Sequence, residues 1–111
     1  DFTNTFRALG DGTARDQFTD PAAYNRWEAR WRDRIKSEAT PFDTMRAANP
    51  AYIPRNHRVE QMIQAAVAGD FRPYDRLMRV LSNPFTRQDG AEDLTHPPGP
   101  SEVVHRTFCG T

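Results

Sequence analysis

The chain has 111 residues, enough for one small domain or for part of a larger one. Its 37% hydrophobic and 27% charged residues are typical of a globular protein and argue against a disordered segment. Fifteen basic and fifteen acidic residues cancel, and no apolar run approaches the roughly 20 residues that cross a bilayer. We therefore expect neither a nucleic-acid partner nor a membrane partner.

The first predicted element is a short helix over the first ten residues. Phe2, Phe6 and Leu9 recur at helical spacing, and Gly10 stands where a left-handed C-terminal cap is wanted. A helix this short is not stable alone, and its two Phe side chains need a surface to cover. The chain also starts at Asp1 rather than at an initiator Met. Together with the apolar face, this start predicts a fragment whose first helix packs on upstream structure.

A second helix is predicted to begin at Asp20-Pro21, after a polar loop. Asp caps free amides at a helix start, and Pro is tolerated at the first helical position. One face of this helix is strongly aromatic, with apolar residues at steps of three and four: Tyr24, Trp27, Trp31 and Ile35. Such a stripe could be a platform for a ligand, but large aromatic residues more often form the core of a small domain.

A third, short helix is predicted from Thr40-Pro41, with Asp43 in a near match to a capping box and with Phe42 and Met45 pointing inward. It ends at a corner over residues 49–56, where two prolines four residues apart forbid continuous helix. The predicted corner residues are Asn49, Pro50, Ile53, Arg55 and Asn56. We expect the side chains of Arg55 and Asn56 to bond neighbouring carbonyls and amides.

An antiparallel helical hairpin is predicted after the corner. Asn56 is a plausible cap for a helix from His57 to Ala68, Gly69 closes that helix, and Asp70-Phe71-Arg72-Pro73 opens the next one, which stops before Pro84. A helix-turn-helix DNA reader could share this outline, but the neutral net charge removes its usual electrostatic support.

The last part of the chain changes character, with few apolar residues and the run Pro97-Pro98-Gly99-Pro100. This composition predicts an extended segment that lies against the helices rather than building a core, anchored by Val103, Val104 and Phe108. The expected fold is therefore mostly α, with about five helices. We expect a helical subdomain over residues 1–84 and an extended Pro/Gly-rich tail over residues 85–111.

The sequence contains no motif for self-contained catalysis: it lacks a Gly-rich phosphate loop, a Cys/His metal spacing and a nucleophile elbow. Asp11 with Asp16, or Glu92 with Asp93, could form an acid/base pair, but solvated loop carboxylates are the ordinary explanation. The three histidines are scattered, and we expect surface or capping roles for them rather than metal binding: His57, His96 and His105. We predict no catalytic, cofactor-binding or metal-binding residue.

Cys109 is the single cysteine, so it cannot form a disulfide within the chain. A thiol at the third position from the end, on an arm rich in Gly and Pro, is accessible and could reach a distant partner. The residues alone leave both readings open, a spectator cysteine or a redox-active one.

Two motifs together resemble the C-terminal end of the selenoprotein O family. They are Asn-Pro-x-Tyr-Ile-x-Arg-Asn over residues 49–56, followed by an apolar-periodic helix, and the closing Thr-Phe-Cys-Gly-Thr over residues 107–111. The resemblance implies a kinase-like parent that transfers AMP from ATP to Ser, Thr or Tyr hydroxyls of proteins, with Mg²⁺. The family's catalytic and metal-binding residues belong upstream of Asp1. Cys109 matches a position that holds selenocysteine or cysteine, which implies a redox role with a cysteine elsewhere in the parent.

The sequence is accordingly interpreted as the helical C-terminal part of a bacterial, cytoplasmic protein adenylyltransferase. It would brace an upstream kinase-like core, carry the redox candidate Cys109 and hold no cofactor itself. Protein substrates would be partners of the parent. The alternative is a stand-alone helical module that binds another protein through its aromatic face.

Overall fold

The structure is a computed structural model, and it describes residues 1–107. Over that range it contains α-helices and short 3-10 helices but no strand, which confirms the mostly α class. The α-helices are α1 (Phe2–Asp11), α2 (Pro21–Ile35), α3 (Pro41–Ala48), α4 (Asn56–Val67) and α5 (Arg72–Leu81). The 3-10 helices are Ala14–Gln17, Glu92–Thr95 and Pro100–Glu102.

The chain divides into two compact units, which we call the first unit (Asp1–Ala51) and the second unit (Tyr52 onward). The division falls inside the predicted corner, between two prolines that interrupt the helical pattern. The assignment of residues 1–84 and 85–111 to separate roles in a larger protein stays a prediction.

The core of the first unit is formed where α1 packs against α3 and the Ala14–Gln17 helix. Its buried residues are Ala8, Leu9, Ala14 and Tyr24, with Trp31 and Met45 packed against them. The predicted aromatic stripe is thus only partly core, because Tyr24 is buried while Trp27 is 40% exposed.

The left-handed cap of α1 is Gly12, with φ of 76°, and not Gly10 as predicted. The Gly12 N–H donates to the carbonyls of Ala8 and Leu9, which closes the helix one residue beyond Asp11. Glycine at position 10 instead makes room for α3, since a Cβ added there would lie 3.3 Å from the Met45 Cβ. The missing side chain lets α3 approach α1 closely.

Two predicted helix starts have different outcomes. The Asp20 carboxylate accepts from the Ala22 and Ala23 amides, so the predicted cap of α2 is confirmed. The Thr40 side chain makes no capping hydrogen bond on α3, and the expected capping box there is wrong. Asp43 instead accepts from the Arg46 guanidinium at 3.1 Å.

The second unit contains α4 and α5, which pack against each other across a short turn where Gly69 has φ of 89°. This arrangement agrees with the predicted hairpin. Leu77 and Val80 of α5 are buried, and so are Ala91 and Leu94 from the segment after it. The expectation that residues beyond 84 lie outside the core is therefore wrong, because Ala91 and Leu94 are part of it and two 3-10 helices shape this segment.

Candidate functional site

The first half of the corner is held by a side chain from α1. The Arg7 Nη1 donates to the carbonyls of Arg46 at 3.2 Å and Asn49 at 3.0 Å, at the end of α3. The Asn49 Nδ2 also donates to the Met45 carbonyl at 2.8 Å. The last carbonyls of a helix lack partners within the helix, so these donors close α3 from outside. Asn49, a predicted corner residue, is thus a donor at the end of α3, and Pro50 follows it.

The second half of the corner is held by Tyr52, which lies almost wholly buried with 2% of its surface exposed. Its hydroxyl accepts from the Gln88 amide at 2.8 Å and lies 3.3 Å from the Gln88 carbonyl, to which it donates. Its own amide donates to the Pro84 carbonyl at 3.2 Å. The Gln88 Nε2 in turn donates to the carbonyls of Val80 and Asn83, at the end of α5.

Arg7 and Tyr52 were both missed as site residues by the sequence analysis. Their partners lie 36 to 42 residues away, so no local spacing marks the pairing. A weak signal was available for Tyr52, since large aromatic side chains supply much of the buried area in small domains.

Ile53, Arg55 and Asn56 lead into α4. The helix begins at Asn56, one residue before the predicted start, so Arg55 and not Asn56 occupies the capping position, without a side-chain cap. The Arg55 carbonyl accepts from the amides of Arg58 and Val59. The Arg55 side chain is buried, and burial lowers the pKa of its guanidinium, while Asn56 is exposed. The expectation that both side chains bond neighbouring backbone stays a prediction.

His57 is buried, with 3% of its surface exposed, so the expected surface or capping role is wrong for this histidine. Burial lowers the pKa of its imidazole, the positive charges of Arg58 and Arg55 lower it further, and Glu102 opposes them. Its Nε2 is buried without a hydrogen-bond partner among residues 1–107. A neutral imidazole is the form that this environment favours. His96 and His105 are exposed, as expected.

A polar cluster links α4, α5 and the Glu92–Thr95 helix. Arg76 makes a bidentate ion pair with Asp93, with Nη2 to Oδ1 at 2.6 Å and Nη1 to Oδ2 at 3.0 Å. The Arg58 Nη2 donates to the Asp93 carbonyl at 3.1 Å. These residues line a cavity of about 160 Å³. The hydrogen bonds from Arg76 lower the pKa of the Asp93 carboxyl, so Asp93 is held ionised and is unsuited to proton shuttling with Glu92.

The other candidate acid/base pair was Asp11 with Asp16, and the two residues belong to different helices. Asp11 pairs with Arg46 at 3.2 Å and lies 3.7 Å from the Arg7 Nε. Asp16 belongs to the Ala14–Gln17 helix and makes no ion pair with these residues in the structure as described. Between residues 1 and 107 no group of three His, Cys, Asp or Glu side chains could hold a metal ion. Cys109 lies outside the described residues.

No helix within residues 1–107 is both long enough and apolar enough to cross a bilayer.

These features define the class of protein: over residues 1–107 it is helical, with two compact units, one containing a buried polar contact at the end of α3 and the other at the end of α5. Known proteins similar to the chain are longer than it. The chain is 61% identical to protein nucleotidyltransferase YdiU of Ruegeria pomeroyi, over 100% of the chain and 24% of the relative. It is 58% identical to that of a Ruegeria species and 50% identical to that of Rhodopseudomonas palustris, covering 24% and 25% of them.

No protein-family model matches the chain. It spans about a quarter of the length of the curated relatives it matches, at their C-terminal part. Over its full length the chain matches the C-terminal part of YdiU proteins of the selenoprotein O family, which confirms the resemblance seen in the corner motif and the closing residues.

Proposed function

We propose that this chain is the helical C-terminal part of a protein nucleotidyltransferase and that it supports the reacting part without supplying reacting groups. The observation that carries the proposal is the match of the whole chain to only a quarter of YdiU relatives, at up to 61% identity. The buried contacts of Arg7 and Tyr52 suit a supporting role, because they fix helix ends rather than face a substrate.

The reaction proposed for the full-length protein is transfer of AMP from ATP to a Ser, Thr or Tyr hydroxyl of another protein. The hydroxyl oxygen bonds to the α-phosphorus, the bond to the β-phosphate oxygen breaks, pyrophosphate leaves and the hydroxyl proton passes to a base. Such a transfer depends on positioned cations and an oriented nucleophile. We propose that a kinase-like upstream core supplies the base and the groups that hold ATP and Mg²⁺, in the bacterial cytoplasm.

The proposal extends to the end of the chain. Cys109 is proposed to form a reversible disulfide with a cysteine of the upstream core, a two-electron oxidation that requires a cellular thiol oxidant. A thiolate is the reactive form in such exchange.

The test compares residues 1–111 alone with a chimaera, in which residues 1–111 replace the matching quarter of the Ruegeria pomeroyi relative. Transfer of label from α-labelled ATP to protein is measured for both. We expect transfer by the chimaera and none by the isolated chain. Transfer by residues 1–111 alone, at the rate of the chimaera, would contradict the proposal.

A stand-alone interaction module is the second candidate, and the exposed aromatic residues of the first unit favour it. The mass of the intact source protein separates the two. A natural product of about 12.7 kDa supports the module, whereas one about four times larger supports the nucleotidyltransferase.

A further inference from the structure

We infer that an apolar groove on the first unit is the docking site for an apolar segment of the polypeptide that precedes this chain in a YdiU-length protein. The aromatic groove, as we call it, lies between α1, the Ala14–Gln17 helix and α2, and is lined by Phe6, Leu9, Ala14, Phe18, Tyr24 and Trp27. The inference rests on the proposed function in one respect, that the chain works as part of a longer protein.

The aromatic groove has a buried floor and exposed walls. Leu9, Ala14 and Tyr24 form the floor and are at most 5% exposed. Phe6, Phe18 and Trp27 form the walls and are 38%, 43% and 40% exposed. The space between them is about 220 Å³. Three large aromatic side chains exposed around one depression are unusual on a finished surface and mark a place where another apolar group binds.

The walls are held in place before anything binds. The Phe18 ring lies 4.9 Å from the Tyr24 ring, and Tyr24 lies 5.8 Å from Trp27, measured between centroids. Phe2, which is 76% exposed, lies against Phe6 with the ring centroids 4.5 Å apart and extends the apolar surface along α1. Side chains already fixed by their neighbours lose little further freedom on docking.

The occupant should be apolar, because every side chain that lines the aromatic groove is aliphatic or aromatic apart from Thr5, and the ion pairs of α2 lie outside the lining. Arg32 pairs with Glu28 at 2.7 Å, and Lys36 pairs with Asp33 at 2.8 Å. None of these four residues lines the aromatic groove. A charged segment would therefore lose its water on docking there without gaining a partner.

The relatives indicate which polypeptide supplies the occupant. The chain matches the C-terminal 24% of the Ruegeria pomeroyi protein, so about three quarters of that relative precedes the matched part. The aromatic groove lies on α1, the first helix of the match, next to the point where the preceding polypeptide of a YdiU-length protein would join. A segment tethered this closely docks at high effective concentration, which favours it over a free protein or a second copy.

Photo-crosslinking in the chimaera tests this inference. Phe18 is replaced by p-benzoylphenylalanine, and the matched control carries the same residue at Asp33, whose side chain is 75% exposed on the same unit away from the groove. After irradiation, the crosslinked peptides are identified by mass spectrometry. We expect the Phe18 variant to give adducts within one chain, to peptides ahead of residue 1, at least fivefold more abundant than from the Asp33 variant.

Several outcomes would overturn the inference. Adducts between two chains whose yield rises with concentration would assign the groove to a second copy. Adducts confined to residues 1–111, or adducts at the level of the Asp33 control, would leave no upstream occupant. A second variant with p-benzoylphenylalanine at Trp27 guards against misfolding at one site, and circular dichroism must match that of the parent chimaera.

The result of the crosslinking test can be distinguished from the result of the AMP-transfer test of the proposed function. If the unmodified chimaera gives no AMP transfer but the Phe18 adducts form, the reaction is wrong and the docking site stands. If AMP transfer occurs and the adducts do not form, the docking site alone is wrong.

Discussion

The two units differ in what holds them together. The first unit gathers small and aromatic residues around Leu9 and Tyr24 and leaves three aromatic walls exposed. The second unit is fixed by polar contacts, through the hydroxyl of Tyr52 on Gln88 and the ion pair of Arg76 with Asp93. Polar contacts of this kind require defined geometry, whereas an apolar surface accepts any partner of fitting shape. Both units also expose large apolar side chains, but in the first unit Phe6, Phe18 and Trp27 surround a single depression. The docking proposal rests on that arrangement and not on the number of exposed residues.

The largest expected effect comes from the second unit's buried tyrosine. Replacing Tyr52 with Ala removes a buried ring and its hydrogen bonds, and should lower the free energy of unfolding by about 3 to 5 kcal/mol. Tyr52→Phe keeps the ring but leaves the Gln88 amide without its acceptor, and should cost about 1 to 3 kcal/mol. Urea unfolding followed by circular dichroism measures both. Equal losses for the two variants would show that the ring contributes nothing beyond the hydroxyl.

A smaller effect is expected for an exposed aromatic wall of the first unit. Phe18→Ser removes a wall that is 43% exposed and should cost about 1 kcal/mol or less. Leu9→Ala, its matched control on the groove floor, should cost about 2 to 5 kcal/mol because Leu9 is buried. The urea midpoints of the two variants measure this in residues 1–111. A loss for Phe18→Ser as large as for Leu9→Ala would mean that Phe18 belongs to the core and not to a docking surface.

The smallest expected effect is a pH dependence from His57. Burial and the nearby Arg58 lower its pKa in the folded chain below the ordinary 6.5, so the unfolded chain takes up the proton first as the pH falls. Stability should therefore decline from about pH 6.5 downward until the folded imidazole itself is protonated. His57→Gln, which cannot titrate, should lose less stability over the same range. Parallel pH profiles of the urea midpoint for the two proteins would contradict the assignment.

The helices were predictable because their signals are local. Asp20-Pro21 marks the start of α2 by side-chain chemistry within three residues, and the structure shows both hydrogen bonds of that cap. The cap of α1 was placed at Gly10 instead of Gly12 because a glycine after an apolar-periodic stretch is an ordinary helix end, and the close approach of Met45 from α3 to Gly10 leaves no mark on the local sequence. Only the folded chain contains that information.

The polar contacts of the corner were not predictable. Arg7 donates to the Asn49 carbonyl, which is 42 residues away in the sequence. The sequence around an arginine on a helix does not indicate which distant carbonyl its side chain will bind. His57 shares this property, since its burial depends on segments that return to α4 late in the chain. The family was recognisable because the corner and the closing residues form a motif, which needs no knowledge of these contacts.

The most direct measurement of the central claim is AMP transfer by the Ruegeria pomeroyi relative cut before its matching quarter, compared with transfer by the chimaera that carries residues 1–111. A supporting role predicts that the shortened protein loses at least tenfold in rate and that the chimaera restores it. Equal rates for the shortened protein and the chimaera would contradict the account, because the reacting part would then need no support from this chain.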